Sequence, residues 1–192
     1  MENLKIKNED WKEEKINGEI YLMSPSANPK HGNIISNLIL ILKSYFKNKP
    51  CAVFGDNLDV YFTEDEYIIP DISIICDPNK LKDDGYHGAP TLMVEIISPS
   101  SFKRDTEQKP ELFKKYKVPE FWLIDYNNKF LKQYTLVGDE HSDVKTWILL
   151  DKHELKRLSK EDKDNYTTKF KSSAFPDLEI DLKDVFNPIF RV

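Results

Sequence analysis

Two stretches of the chain are apolar at consecutive positions except for a single carboxylate. Residues 67–76 contain Asp71, and residues 91–98 contain Glu95. Consecutive apolar residues are typical of strands that are buried on both faces of a sheet. An ionised carboxylate in such a strand is costly unless a cation, a metal ion or several hydrogen bonds meet it. We therefore expect the two strands to be neighbours and their carboxylates to share a metal site.

Other periodicities predict the surrounding elements. Apolar residues recur every three or four positions over residues 30–47, which predicts an amphipathic helix with His31 in its first turn. A basic, helix-like segment covers residues 103–117, and a short helix is expected within residues 1–17. A polar loop at residues 77–90 is long enough to overhang a site. Further strands are predicted at residues 18–23, 51–54, 58–63, 121–125, 129–134, 147–150, 167–172 and 175–186, the last ending in a helical turn.

Composition restricts the class of protein. The 192 residues fit one domain spanning residues 1–192, and 40% hydrophobic with 32% charged residues is compatible with a packed core. The net charge of −5 argues against a general nucleic-acid coat protein, but it is compatible with an enzyme that carries a local basic patch. No stretch approaches the roughly 20 apolar residues that span a membrane. The charged N-terminus lacks a signal core, so we expect a cytoplasmic protein without membrane association.

The two cysteines lie in apolar, strand-like runs. Cys51 and Cys76 are therefore expected to be small buried hydrophobic residues, and a disulfide or a metal-binding pair is the less favoured interpretation.

The candidate site residues each have a structural alternative. Asp71 follows Pro70, which marks a strand end or bulge, so a solvated carboxylate is the alternative to a metal ligand. For Glu95 the alternative is a structural ion pair with a buried cation. Glu19 and His31 could line the same cleft, although a structural role is the more common one for an isolated histidine.

The basic segment contributes further candidates. The simplest interpretation of the cations in this segment is that they form a solvated helix face. A functional role for any of them depends on a metal site next to the segment, and the same holds for Asp105. These cations are Lys103, Arg104, Lys109, Lys114 and Lys115. The chain has no zinc-like cysteine or histidine spacing and no glycine-rich phosphate loop. Two carboxylates without soft ligands favour Mg²⁺ or Mn²⁺.

Short motifs in a characteristic order extend along nearly the whole chain. Each is weak alone, and the ordered set resembles the Uma2-type family of endonucleases within the PD-(D/E)xK, restriction-endonuclease-like superfamily. The matching pieces are residues 18–26, His31, residues 58–60, 70–71, 76–78, 88–90, 94–100 and 104–105, Lys109, Tyr116 and residues 118–125 and 175–179.

The resemblance implies a fold and a site. The fold would be an α/β restriction-endonuclease-like core with a mixed, curved sheet flanked by helices and extra N- and C-terminal strands. Asp71, Glu95 and the backbone carbonyl of Ile96 would bind Mg²⁺ or Mn²⁺. The superfamily lysine would fall at position 97, which is Ile97 here, and Lys109 is the matching family position. Pro110 disfavours helical geometry at Lys109 and leaves the direction of its side chain open.

The expected activity is metal-dependent hydrolysis of DNA phosphodiester bonds. Lys109 would orient the attacking water or stabilise charge on the phosphate, with Glu19, His31 and Asp105 as additional site groups. The remaining cations, Lys103, Arg104, Lys114 and Lys115, would hold the DNA backbone. Members of the superfamily often work as dimers, since cutting both strands of a duplex requires two sites, so the resemblance also implies a homodimer.

Two alternatives remain open at this point. A catalytically inactive binding or assembly module on the same fold would explain Ile97 and the acidic composition. A core ion pair between Glu95 and Arg104 would explain the buried carboxylate without any metal.

Overall fold

The computed structural model describes residues 12–23 and 28–188. Within these ranges, strands form two six-stranded sheets and one two-stranded sheet. The strands are β1 Glu13–Ile16, β2 Glu19–Leu22, β3 Ala52–Phe54, β4 Val60–Thr63, β5 Glu66–Ile68, β6 Ile72–Ile75, β7 Leu81–Lys82, β8 Gly85–His87, β9 Leu92–Ile96, β10 Glu120–Asp125, β11 Phe130–Val137, β12 Glu140–Ile148, β13 Lys169–Lys171 and β14 Glu179–Asp181. The α-helices are α1 Pro29–Phe46, α2 Lys109–Lys115, α3 Lys152–Arg157, α4 Lys160–Asn165 and α5 Leu182–Val185.

The central sheet contains both carboxylate strands as neighbours, which confirms that prediction. Its order is β12-β11-β10-β9-β6-β3, with β9 parallel to β10 and antiparallel to β6. In the β6–β9 ladder, Ile72 faces Val94 and Ser73 faces Met93. Continuing this register by one residue places Asp71 opposite Glu95.

The predicted strand over residues 67–76 divides at Pro70. Its first part, β5, pairs with β4 in the predicted hairpin, within a second sheet of order β2-β1-β5-β4-β8-β7. Its second part, β6, belongs to the central sheet. Because proline cannot donate a ladder hydrogen bond, the chain leaves one sheet and enters the other at Asp71.

Helix α1 covers one face of the central sheet. Its buried stripe of Ile34, Leu38, Leu42 and Phe46 belongs to the same core cluster as Ile72, Val94 and Trp122. A second cluster, around Phe113 and Phe121, fills the space between the central sheet and the N-terminal sheet. The site residues at the junction of the sheets are therefore enclosed by two cores.

Several sequence predictions require correction. Residues 13–16 form strand β1 rather than helix, because Glu14 and Ile16 alternate inward, and residues 1–11 lie outside the described part. Cys51 and Cys76 form a disulfide with an S–S distance of 2.09 Å, so the expectation of two unpaired cysteines is wrong. The register that pairs Ala52 with Ile75 brings the cysteines face to face. No helix in the described ranges is long and apolar enough to cross a membrane.

Candidate active site

The break between β5 and β6 directs the Asp71 carboxylate across to the end of β9. Asp71 Oδ2 accepts a hydrogen bond of 2.7 Å from the backbone N–H of Ile96. It also lies 3.3 Å from His31 Nε2. The sequence therefore positions this carboxylate with one backbone donor and one imidazole, at a place where the central sheet meets α1.

His31 reaches Asp71 from the first turn of α1. The Asn28 side chain caps this helix by accepting from the N–H of Lys30, which fixes where the first turn begins. Burial opposes the charged imidazolium, but the hydrogen bond and the charge of Asp71 outweigh it and raise the pKa of His31. His31 Nδ1 is buried and has no hydrogen-bond partner among the described residues.

Glu95 is almost fully buried on the central strand β9. Burial is the main reason that the pKa of its carboxyl is raised well above the ordinary value. The charge of Lys109 opposes this rise, whereas the neighbouring charges of Asp71, Asp105 and Glu14 add to it. Carboxylates at facing positions repel one another, so this arrangement needs a nearby cation.

The cation is Lys109, whose placement depends on an unusual helix. Residues Arg104–Gln108 form a π-helical segment that continues into α2, and the N–H of Lys109 donates to the carbonyl of Arg104. Lys109 has helical geometry (φ −64°, ψ −40°) although Pro110 follows it. The wider π-turn accommodates a proline ring that would clash within a regular α-helix. Such π-turns are frequent at functional sites.

Lys109 is 2% exposed and lies among three carboxylates. Its Nζ is 2.9 Å from Glu14 Oε1, 2.8 Å from Glu95 Oε1 and 3.6 Å from Asp105 Oδ1. Burial lowers the pKa of the ammonium, but the three acidic neighbours outweigh burial and raise that pKa above its ordinary value. Lys109 is therefore a permanent cation and cannot serve as a proton acceptor near neutral pH.

Glu14 is the site residue that sequence reasoning missed. It is fully buried on β1, and its Oε1 accepts a hydrogen bond of 3.2 Å from the N–H of Ile69. Its Oε2 forms an ion pair of 2.9 Å with Arg104 Nε. The alternation of Glu14 with buried Ile16 was the available signal, but the charged run around Glu14 obscured it.

Asp105 completes the acidic set one helical turn before Lys109. Burial raises the pKa of its carboxyl, while Lys109 and the hydroxyl of Ser101, which donates to Asp105 Oδ2, act in the opposite direction. We call the whole set the buried charge cluster: Glu14, Asp71, Glu95, Arg104, Asp105 and Lys109.

The charge balance of this cluster favours an additional cation. Four carboxyl groups face two permanent cations, and His31 adds a third positive charge only when it is protonated. Three of the carboxylate oxygens, Glu14 Oε2, Glu95 Oε1 and Asp105 Oδ1, are buried without a properly oriented hydrogen-bond donor in the described part of the chain. Carboxylate oxygens are hard ligands, the type that Mg²⁺ and Mn²⁺ prefer.

The geometry limits how many protein ligands such an ion can have. Within residues 12–23 and 28–188, no three side chains of histidine, cysteine, aspartate or glutamate converge as a ready-made ligand group. The ligand set that the family resemblance implies contains two carboxylates, Asp71 and Glu95, and the Ile96 carbonyl. Water would have to supply the remaining positions, as is usual for Mg²⁺.

Other predicted site residues lie outside the buried charge cluster. Glu19 is exposed on β2, where its carboxylate accepts a hydrogen bond of 2.5 Å from the Tyr21 hydroxyl. The inward position on this hairpin is that of Glu14, and Glu19 is linked to the π-helical segment only through Tyr21, whose hydroxyl accepts a hydrogen bond of 2.9 Å from Gln108 Nε2. The role of Glu19 in the site stays a prediction. Lys114 pairs with Glu140 at 3.8 Å.

The cations predicted to bind phosphate do not lie together in the structure. Lys115 pairs with Glu66 at 2.5 Å, away from the cluster. Arg104 is drawn inward to Glu14, with its guanidinium 5.2 Å from the Tyr21 ring centre. Lys103 is exposed at the start of the π-helical segment. The ion pair between Glu95 and Arg104 that the sequence left open is absent from the described contacts, because Lys109 is the partner of Glu95.

Comparison with known proteins gives the family. The model of the family Uma2, described as "Putative restriction endonuclease", matches residues 1–162. The chain belongs to the Uma2 family. It is 25% identical over 156 residues to "Uncharacterized protein slr1290" of Synechocystis, covering 77% of this chain and 75% of that protein.

The Uma2 chain also resembles a solved structure, that of a "putative nuclease belonging to DUF820" from Anabaena variabilis. The TM-score is 0.67 at 21% sequence identity, with 91% of this chain and 89% of that chain covered. This likeness confirms the α/β restriction-endonuclease-like fold predicted from the sequence. The family and the fold together support a nuclease, that is, a hydrolase of endonuclease type.

Proposed function

We propose that this Uma2 protein is an endonuclease that hydrolyses DNA phosphodiester bonds with the help of Mg²⁺ or Mn²⁺. The observation that carries the proposal is that Asp71, directly before β6, and Glu95, on the adjacent strand β9, lie close enough for their charges to interact, next to the buried ammonium of Lys109. Like-charged side chains at facing positions destabilise a sheet unless something compensates them. A divalent cation between the two carboxylates provides that compensation.

Three groups of the chain would hold the ion: the Asp71 carboxylate, the Glu95 carboxylate and the backbone carbonyl of Ile96. A bound divalent cation supplies Lewis-acid activation of the phosphate and lowers the pKa of a coordinated water. The N–H of Ile96 fixes Asp71 Oδ2, so the orientation of that carboxylate is set before any ligand arrives. Such preorganisation reduces the reorganisation required during the reaction.

Lys109 would act electrostatically. Because its pKa is raised, the ammonium keeps its charge and can stabilise negative charge that develops on a phosphate. Glu14 holds Lys109 Nζ on one side and Arg104 on the other, and so fixes the distance between the two cations. Arg104 remains partly exposed and, with exposed Lys103, would contact the DNA backbone in a salt-dependent manner.

The direct test is cleavage of supercoiled plasmid and of single-stranded oligonucleotides with Mg²⁺ or Mn²⁺. Glu95→Gln and Asp71→Asn should each reduce the rate at least about a hundredfold, in line with loss of a group that stabilises transition-state charge. Glu64→Gln, a change of an exposed carboxylate in the β4–β5 turn, is the matched control and should leave the rate unchanged. Equal cleavage by wild type and Glu95→Gln would refute the assignment.

A DNA-binding module without catalytic activity is the second candidate. Ile97 stands where the superfamily has its lysine, and Lys109 forms an ion pair of 2.8 Å with Glu95. This alternative predicts DNA binding by wild-type protein with neither cleavage nor stabilisation by Mn²⁺. Gel-shift measurements made with and without the metal, alongside the cleavage assay, distinguish the two candidates. A homodimer, with two sites for the two strands of a duplex, is part of the endonuclease proposal.

A further inference from the structure

The last strand of the central sheet, β12, has one edge beside which no other strand of the described ranges lies, although the Tyr166 hydroxyl donates a hydrogen bond to the Ile148 carbonyl at its end. This nine-residue strand, Glu140–Ile148, pairs with β11 on one side, and no strand within the described ranges pairs with its other side. Val144 is 47% exposed and Ile148 is 41% exposed. Long edge strands are templates for pairing with another chain, and natural proteins usually shorten, cover or charge them.

Symmetry restricts how two copies of β12 can pair. A two-fold axis perpendicular to the sheet leaves each side chain on the same face of the sheet in both copies. Facing residues of an antiparallel pair also project to the same face. Both conditions hold only if the axis passes at a residue that lies opposite its own copy. Val144 is the midpoint of Glu140–Ile148, and an axis at Val144 therefore pairs the two strands over their full length. Any other axis position leaves part of each strand unpaired.

The charges on β12 select the same register. Asp143 and Lys145 flank Val144 and form an ion pair of 3.2 Å within one chain. With the axis at Val144, Asp143 of each copy lies opposite Lys145 of the other copy, which produces four alternating charges on one face. Moving the axis to either neighbouring residue places Asp143 opposite Asp143, or Lys145 opposite Lys145. Opposite charges at facing positions stabilise a sheet and like charges destabilise it.

We propose that β12 pairs antiparallel with β12 of a second copy, about a two-fold axis at Val144. The result is a homodimer with one continuous central sheet. Strand length and charge pattern, which are independent properties of the sequence, give the same axis. The interface is self-complementary, as two-fold symmetry requires. The proposal does not depend on nuclease activity, because its tests measure association alone.

The first test measures the dimer dissociation constant by sedimentation equilibrium with the full-length protein. Asp143→Lys and Lys145→Asp should each weaken the dimer by roughly tenfold or more, since each change opposes like charges at two symmetric positions. The double variant Asp143→Lys/Lys145→Asp restores opposite charges and should recover the wild-type constant within experimental error. A monomeric wild type would overturn the proposal, and so would a double variant as weak as either single variant.

The second test uses the axis itself. Facing residues in an antiparallel pair have Cβ atoms roughly 4.5–5.5 Å apart, close enough for a disulfide after a small adjustment. Val144→Cys should therefore yield a covalent dimer on a non-reducing gel after mild oxidation. Val137→Cys, on β11 and 55% exposed, is the matched control and should remain monomeric. Equal cross-linking of both variants would show that random collision, rather than β12 pairing, joins the chains.

Discussion

The substitution Lys109→Met tests whether the buried charge cluster depends on its central cation. Methionine preserves most of the side-chain volume and removes the charge. The ammonium has two contacts below 3 Å, with Glu14 and Glu95, and is 2% exposed. Removing one partner of a buried ion pair costs about 3–5 kcal/mol, because the other charge is left uncompensated.

This cost corresponds to a large change in melting temperature. For a chain of this size, each kcal/mol lowers the melting temperature by about 2–4 °C, so Lys109→Met should lower it by roughly 6–20 °C near neutral pH. The deficit should shrink at pH 5. Burial already raises the pKa of Glu95, and loss of the ammonium raises it further, so the variant can bind a proton that removes the uncompensated charge.

Calorimetry or circular dichroism at pH 7.5 and pH 5 measures both effects. The control is Lys103→Met, which removes an exposed cation from the preceding turn and should change stability by less than about 0.5 kcal/mol. The double variant Lys109→Met/Glu95→Gln should regain part of the lost stability, since it removes one orphaned carboxylate. A Lys109→Met deficit below about 1 kcal/mol at pH 7.5, or one that does not depend on pH, would refute the electrostatic reasoning.

Three further predictions concern other parts of the fold. Glu120 is fully buried and accepts four hydrogen bonds of 2.5–2.8 Å. Glu120→Gln replaces one acceptor oxygen by an amide N–H that faces these donors, so it should lower the free energy of unfolding, measured in urea, by about 2–4 kcal/mol. Burial raises the pKa of Glu66, but hydrogen bonds from Lys115 and Tyr116 outweigh it and leave this pKa lowered. The ionised Glu66 carboxylate therefore stabilises the folded state at pH values above its unfolded-state pKa, and this stabilisation is lost as the pH falls through its folded-state pKa. Between pH 7 and pH 3, the melting temperature of Glu66→Gln should thus fall less than that of the wild type. The Cys51–Cys76 disulfide closes a sequence separation of 25 residues, and reduction should cost about 3.5 kcal/mol by loop entropy, measured as a lower melting temperature with a phosphine reductant.

The site residues that can be predicted from the sequence are charged residues within apolar strands, because burying a charge there is costly. Asp71 and Glu95 are conspicuous because each interrupts an apolar strand, and the structure places them on neighbouring strands. Lys109 could be selected only through family resemblance, since its direction depends on a π-turn that no periodicity reveals. Glu14 escaped notice because its partners, Arg104 and Lys109, lie about ninety residues further along the chain.

The remaining errors in the fold have similar physical reasons. Two cysteines in separate apolar runs give no sign of their pairing until the β3–β6 register is known. Helices α3 and α4 are short and exposed, so they lack an apolar stripe, although the capping box of Asp151 and Glu154 was a readable start signal. Local patterns identify elements that face a core, whereas pairings between distant residues require the assembled sheet.

The most direct measurement is thermal melting with Mn²⁺ on wild type, Asp71→Asn, Glu95→Gln and the exposed control Glu64→Gln. An ion that binds only the folded state at a hundred times its dissociation constant adds about 2.7 kcal/mol, which corresponds to a rise of roughly 5–11 °C. We predict this rise for wild type and Glu64→Gln and its loss in both site variants. An unchanged melting temperature in wild type, or an equal rise in all four proteins, would contradict a metal site between β6 and β9.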